Sequence, residues 1–191
     1  MGNREALLEA AITALQDKGY AATTAREIAS RAGVSLGAIG YHFTSTQDLL
    51  DQALAEGVRR WFEPIIGLLR QPGWAPTQGQ LGPVLDLLLQ SLDSHRPLVI
   101  AYFEALVRAE RSPALRTALA ADFQALRTAL SDGIAANISQ TDHDTSPDPE
   151  VAASLIMATF DGLIIQWLLD PDRLPNGPQI TQTVQRTAQL T

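Results

Sequence analysis

The sequence predicts an all-α fold: an N-terminal unit of three helices followed by a larger helical domain, about nine helices in all. Three observations predict it. Apolar residues recur at three- and four-residue spacing along nearly the whole chain. Helix starts carry Ser, Thr or Asp caps, several with proline in the first turn. No stretch shows the period-two alternation of a half-buried strand, and there is no internal repeat.

The elements follow in order. Residues 4–18 place Leu8, Ala11, Ile12 and Leu15 on one stripe, and Gly19 stops that helix. Thr24-Ala25-Arg26-Glu27 is a capping box, in which the Thr hydroxyl caps the Glu27 amide and Glu27 reaches back. The short helix it opens turns Ile28, Ala29 and Ala32 inward and ends at Gly33, where a left-handed turn is needed. Ser35 is expected to cap a third helix over 36–43. Ser45 caps a fourth, with Asp48 at the favourable end of its dipole.

The fourth helix runs to about Gln71 with Leu50, Leu54, Val58, Trp61, Ile65 and Leu69 as its stripe, and Pro64 is expected to kink it. Gln71 to Pro76 is a break. Further helices are predicted over 78–94, 97–110, 113–139, 149–170 and 178–190, with caps at Ser112 and Asp148. Residues 149–170 are apolar nearly all round, so this helix is expected to be buried on more than one side, in a core or a subunit interface. Residues 140–147 read as a polar loop. Its Asp142-His143-Asp144 has metal-ligand types but no fourth ligand, so no metal site is expected there.

Composition narrows the classes. Of 191 residues, 46% are hydrophobic and 18% charged, which suits a packed core. The absence of cysteine excludes disulfides and fits a cytoplasmic protein. The opening residues lack a basic segment leading into an apolar run, so no secretory signal is expected. Apolar stretches look broken well short of the ~20 residues that span a bilayer, so no membrane partner is expected. The net charge is −7, yet in residues 1–45 Arg4, Lys18, Arg26 and Arg31 balance Glu5, Glu9, Asp17 and Glu27. That neutral segment permits contact with a polyanion without itself indicating it. No phosphate loop, nucleophile elbow, zinc-hydrolase motif or triad spacing appears, so the chain is not expected to be an enzyme and no cofactor is expected.

Residues 24–43 are the informative part. Two short helices are joined by Ala32-Gly33-Val34-Ser35. Small Ala29 admits a close crossing, Val34 fills the gap, and Ile39 anchors the second helix. This is the pattern of a helix-turn-helix, whose second helix enters a major groove. The combination Ala10-Ala11, Leu15, Gly19-Tyr20, Thr23-Thr24, Arg26-Glu27-Ile28-Ala29, Ala32-Gly33-Val34-Ser35, Gly37-Ala38-Ile39, Tyr41-His42-Phe43, Ser45 and Leu49-Leu50 resembles the TetR family of repressors over about the first fifty residues. The resemblance implies a helix-turn-helix DNA-binding domain over 1–46 and an effector-binding and dimerisation domain over 47–191. It also implies a homodimer on a palindromic operator of double-stranded DNA, released when an effector binds.

Carried over position by position, Leu36, Gly37 and Ala38 would meet base edges, with Ala38 against a thymine methyl. Tyr41 and His42 would face phosphate or bases. Thr24, Arg26 and Ser35 suit phosphate contacts. The family usually has Lys at position 46 and often Tyr at 40. Thr46 and Gly40 stand here, so a shallower salt dependence and a weaker reading helix are expected.

Trp61, Phe62, Trp74, Tyr102, Phe103, Phe160 and Trp167 are candidates to line a pocket for a small apolar or aromatic effector. His95, Arg96, Glu104, Arg108 and above all Asp161, a charge inside an apolar helix, are candidates to fix its polar groups. Dimerisation is expected through 149–170 and 178–190. The sequence thus points to an effector-controlled DNA-binding repressor. The alternative is a helical ligand-binding or protein-interaction adaptor that has lost DNA binding.

Overall fold

The computed structural model describes residues 2–71, 81–138 and 148–188. Its regular elements are all helical: α1 (Asn3–Lys18), α2 (Ala25–Arg31), α3 (Gly37–His42), α4 (Thr46–Leu69), α5 (Leu81–Ser91), α6 (Arg96–Ala109), α7 (Pro113–Ile138), α8 (Pro149–Leu169) and α9 (Gly177–Ala188), with a 3-10 turn at Pro171–Arg173. The all-α expectation holds, because apolar spacing at three and four residues has no other solution that buries the stripe. The chain divides into two compact units, Met1–Phe62 with Asp93–Asp122, and Glu63–Leu92 with Phe123–Thr191.

In the first unit α1 packs against α2, α3 and α6. Leu7, Ala11, Ala14 and Leu15 are fully enclosed there. Leu7, not the expected Leu8, is the buried leucine of that stripe, and Leu8 is half-buried. Gly57 of α4 passes so near α1 and α6 that a Cβ on it would lie 3.2 Å from Leu98 and 3.8 Å from Ile12. Thr23 is buried with its hydroxyl donating to the Gly19 carbonyl at 2.7 Å. Ser45 and Asp48 behave as expected. The Asp48 amide donates to Ser45 Oγ at 3.0 Å, and the Asp48 carboxylate accepts from the Thr44 amide and hydroxyl. Gln52, first, and then the Thr44 amide hold that carboxyl below its usual range, although burial opposes them.

In the second unit α5 packs against α9. The contact is a meeting of two glycines: a Cβ on Gly177 would collide with the Gly82 carbonyl, and the Gly177 amide donates to Asp86 Oδ1 at 2.7 Å. The start of α9 is tied by a reciprocal box that the sequence analysis missed. The Gln179 amide donates to Asn176 Oδ1 at 2.9 Å and the Asn176 amide to Gln179 Oε1 at 3.0 Å. Asp148 caps α8 through the amides of Glu150 and Val151.

α8 differs from expectation in one way, its unbroken apolar length. Ala153, Met157, Phe160, Leu163, Ile164 and Trp167 are buried, but Val151, Leu155, Ile165 and Leu169 are exposed within the chain. One face is therefore covered and the other is not. By length and composition alone α8 is apolar enough to cross a bilayer, because Asp161 is the single charge between Val151 and Leu169.

Candidate nucleic-acid interface

The geometry of the site begins with the turn between α2 and α3. Gly33 has φ +67°, a backbone region that L side chains rarely enter. The Val34 amide donates to the Ala29 carbonyl at 3.0 Å and the Gly33 amide to the Ser30 carbonyl at 3.2 Å. These two bonds form a Schellman cap, which reverses the chain in two residues. Thr24 caps the other end, accepting from the Glu27 amide at 3.4 Å. The return half of the expected capping box is replaced, because Glu27 is committed to Lys18 and to Arg31. Lys18, and then Arg31, hold its carboxyl below the usual range.

α3 opens differently from expectation. Leu36, not Ser35, occupies the cap position, with helical φ −58° and ψ −33° and no side-chain cap. The Ala38 amide donates to the Ser35 carbonyl at 3.0 Å and the Ile39 amide to the Leu36 carbonyl at 3.2 Å. Tight i to i+3 bonds thus satisfy the first amides and leave no need for the serine hydroxyl. Ile39 and Phe43 point into the core. The outward face carries Ser35, Leu36, Gly37, Gly40 and Tyr41, with Ala38 and His42 half-exposed. Leu36 is 53% and Tyr41 85% exposed, so neither is spent on packing. The Tyr41 and His42 rings meet edge to face at 4.9 Å. Gly37, Ala38, Tyr41 and His42 line a shallow open concavity of about 490 Å³, together with Ser35 and with Asn3 of α1. Asn3 escaped the sequence analysis, because its position beside α3 depends on how α1 packs.

Thr24 and Arg26 are exposed at the head of α2, and Thr46 is half-buried at the start of α4. The four basic residues of this segment are not equivalent. Lys18 pairs with Glu27, and Arg31 with Asp17 at 2.7 Å and Glu27 at 3.1 Å. Arg4 donates to Gln52 at 2.7 Å and lies over the Phe43 ring. Arg26 has no carboxylate partner among the described residues.

Behind this surface lies a half-buried polar cluster. Asp51 Oδ1 accepts from the Tyr20 hydroxyl at 3.1 Å, from Gln47 at 2.9 Å and from Arg108. Arg108, expected as an effector contact, is committed here instead, and its Nη1 is buried without a partner among the described residues. Burial, then the Asp48 carboxylate, pushes Asp51 up to about 6, and burial lowers Arg108. The direct ion pair works the other way on both, and at this separation it keeps the pair charged at neutral pH.

The candidate effector residues fall in both units. Trp61, Phe62, Tyr102 and Phe103 belong to the first, where Trp61 packs on Phe62 at 4.9 Å and stacks on His95 at 5.7 Å, and Tyr102 meets Phe103 at 5.3 Å. Trp61 and Tyr102 are buried. Phe160, Asp161 and Trp167 belong to the second, and burial pushes the Asp161 carboxyl up to about 6. Trp74 and Asp142-His143-Asp144 lie outside the described residues.

Comparison with known proteins agrees with this geometry. Residues 7–53 match the model of "Bacterial regulatory proteins, tetR family", and residues 78–190 that of "BetI-type transcriptional repressor, C-terminal". The chain is 30% identical over 103 residues to the HTH-type transcriptional repressor KstR2 of Mycolicibacterium smegmatis, a match covering 54% of this chain and 42% of that protein. It is 28% identical over 171 residues to the HTH-type nicotine-responsive transcriptional repressor HdnoR of Paenarthrobacter nicotinovorans, covering 88% and 84%. The chain thus spans less than half of the first relative and most of the second. Among solved structures, the multidrug binding protein EbrR complexed with proflavin superposes with TM-score 0.69 at 26% identity, over 97% of this chain and 99% of that one. A putative TetR-family regulator from Rhodococcus sp., TM-score 0.70 at 24% identity over 95% of each chain, has the same fold.

Proposed function

Because the chain belongs to the TetR family of bacterial regulatory proteins, we propose that it is a transcriptional repressor which binds a palindromic operator as a homodimer and is released by a small apolar or aromatic effector. The observation that carries this is the outward face of α3. A capped two-residue turn presents Leu36 and Tyr41 to solvent, while Ile39 and Phe43 hold the helix from behind. A helix so held can enter a major groove without unfolding its support. Thr24, Arg26, Ser35 and Thr46 are assigned to phosphates, and Leu36, Gly37, Ala38, Tyr41 and His42 to the groove. The action is on chromosomal DNA in the cytoplasm, and the relatives are named as regulators rather than enzymes.

Residues 1–46 carry the DNA function in this reading and residues 47–191 the effector and dimer functions. The exposed apolar residues of α8 support the dimer: Val151, Leu155, Ile165 and Leu169 are uncovered in the single chain and a second copy would cover them. The effector class rests on Trp61, Phe62, Tyr102, Phe103, Phe160 and Trp167, with Trp74 and Asp161 as further candidates. EbrR, the structural relative at 26% identity, holds the planar aromatic proflavin. The adaptor alternative lacks a comparable observation, since a chain that had abandoned DNA would have no reason to keep Tyr41 uncovered.

The test is selection of bound duplexes from a randomised palindromic library, followed by gel shift at about 50–100 mM salt. An enriched palindrome bound by the dimer, and released by proflavin or another planar apolar compound, is the expected result. Failure to enrich any sequence would remove the repressor reading.

A further inference from the structure

We propose that α3 reads its part of the operator half-site at thymine 5-methyl groups, by Leu36 and Ala38, and not at purines through bidentate hydrogen bonds. This deepens the proposed function and rests on it.

The outward face of α3 lacks the side chains that usually read purines. A guanine is recognised by the fork of an arginine or by a lysine, and an adenine by the amide of an asparagine or glutamine. Ser35, Leu36, Gly37, Ala38, Gly40, Tyr41 and His42 include none of these. Of the nearby cations, Arg26 has no carboxylate partner among the described residues but belongs to α2 and not to this face. Arg31 is held by Asp17 and Glu27, and Arg4 by Gln52 and the Phe43 ring. A serine hydroxyl and one imidazole offer single hydrogen bonds, which distinguish bases weakly.

The face does carry apolar surface in the right place. Leu36 is 53% exposed at the start of the helix, and Ala38, two residues on, is half-exposed. Gly37 and Gly40 add no side chain between them, and a Cβ on Gly40 would meet nothing within 4 Å. The backbone of α3 can therefore approach the groove floor closely. Beside Leu36, which is not part of its lining, Gly37, Ala38, Tyr41 and His42 border with Ser35 and Asn3 an open concavity of about 490 Å³. In the major groove only thymine presents a methyl, so an apolar reader of this shape selects T over C through contact alone. Asn3 is the one carboxamide bordering that concavity, and it belongs to α1.

The experiment uses the full chain and a palindrome it has itself enriched. Each thymine of a half-site is replaced in turn by deoxyuridine, which keeps every hydrogen-bonding group and removes only the methyl. At one or two positions the affinity should fall about fourfold, the worth of one buried methyl. Leu36→Ala, a substitution at an exposed position, should bind more weakly and lose the preference for thymine over deoxyuridine there. Equal affinity for all deoxyuridine duplexes would overturn the proposal while leaving sequence-specific binding intact. So would full methyl discrimination retained by both Leu36→Ala and Ala38→Gly. A loss of selectivity on Asn3→Ala alone would move the reading to α1 and overturn it as well. If no palindrome is enriched, the repressor reading itself falls.

Discussion

The guanidinium of Arg108 lies over the phenol ring of Tyr20, its central carbon 4.0 Å from the ring centroid. The same guanidinium reaches Asp51, so one side chain of α6 holds both the α1–α2 connection and the first turns of α4. Arg108→Met keeps the apolar stem but strands the Asp51 carboxylate in a half-buried place. We expect a loss of about 2 kcal/mol, seen as a lower urea midpoint at unchanged slope. A midpoint equal to the parent's would show that the cluster contributes no stability.

Asp161 supplies a pH test. Burial raises its pKa to about 6, so the folded chain holds this proton more tightly than the unfolded chain does. The stability that follows is fully present below about pH 4 and is lost as pH rises through about 6. Asp161→Asn should therefore melt above the parent at pH 7.5, by about 2–4 °C after allowing for the solvent that still reaches the group. At pH 4 the two should coincide. Taking the difference between the two proteins removes the parallel contribution of Asp51.

The glycine contact between α5 and α9 predicts an unequal pair of alanine substitutions. Gly177→Ala drives a Cβ into the Gly82 carbonyl and should cost about 1–3 kcal/mol. Gly67→Ala, on an exposed face of α4 with nothing within 4 Å, should add about 0.5–1 kcal/mol. Calorimetric melting of the two variants should move in opposite directions. Movement in the same direction would contradict the close approach of the two backbones.

Arg26 and Tyr41 test the DNA surface. Arg26→Ala removes a cation with no carboxylate partner among the described residues, so the slope of log affinity against log salt should shrink by about 0.9, one phosphate's worth. Tyr41→Ala should weaken binding with the fold intact, since the ring packs against little of the protein. Filter binding between about 50 and 200 mM salt reads both. An unchanged slope for Arg26→Ala would place that arginine away from the phosphates.

Leu155 tests the dimer. It is 64% exposed in the single chain, so Leu155→Lys should fold normally yet fail to pair. Light scattering should give the 20.6 kDa of one chain for the variant and about twice that for the parent. Two chains in both would move the interface off α8.

The sequence was most legible where structure is local. The Thr24 cap, the Gly33 turn and the Ser45 cap each depend on residues within five positions, and composition at those positions determines the bonds. The Tyr20–Asp51–Arg108 cluster was opaque because its members stand 31 and 57 residues apart. Leu7 and Leu8 fit two adjacent stripes equally well, and only packing against α2, α3 and α6 chooses Leu7. The return arm of the Thr24 box failed because Lys18, nine residues away, offers Glu27 a full charge where the backbone offers a dipole. Aromatic residues such as Trp61 and Tyr102 show a similar limit, since the same side chain serves a packed core or a cavity wall.

The pairing of Lys18 with Glu27, of Arg31 with Asp17 and of Arg60 with Glu9 has a kinetic consequence. A cation neutralised at home projects little field, so random duplex attracts this protein weakly and retains it briefly. On the proposed function, irrelevant base pairs should then sequester fewer copies of the protein.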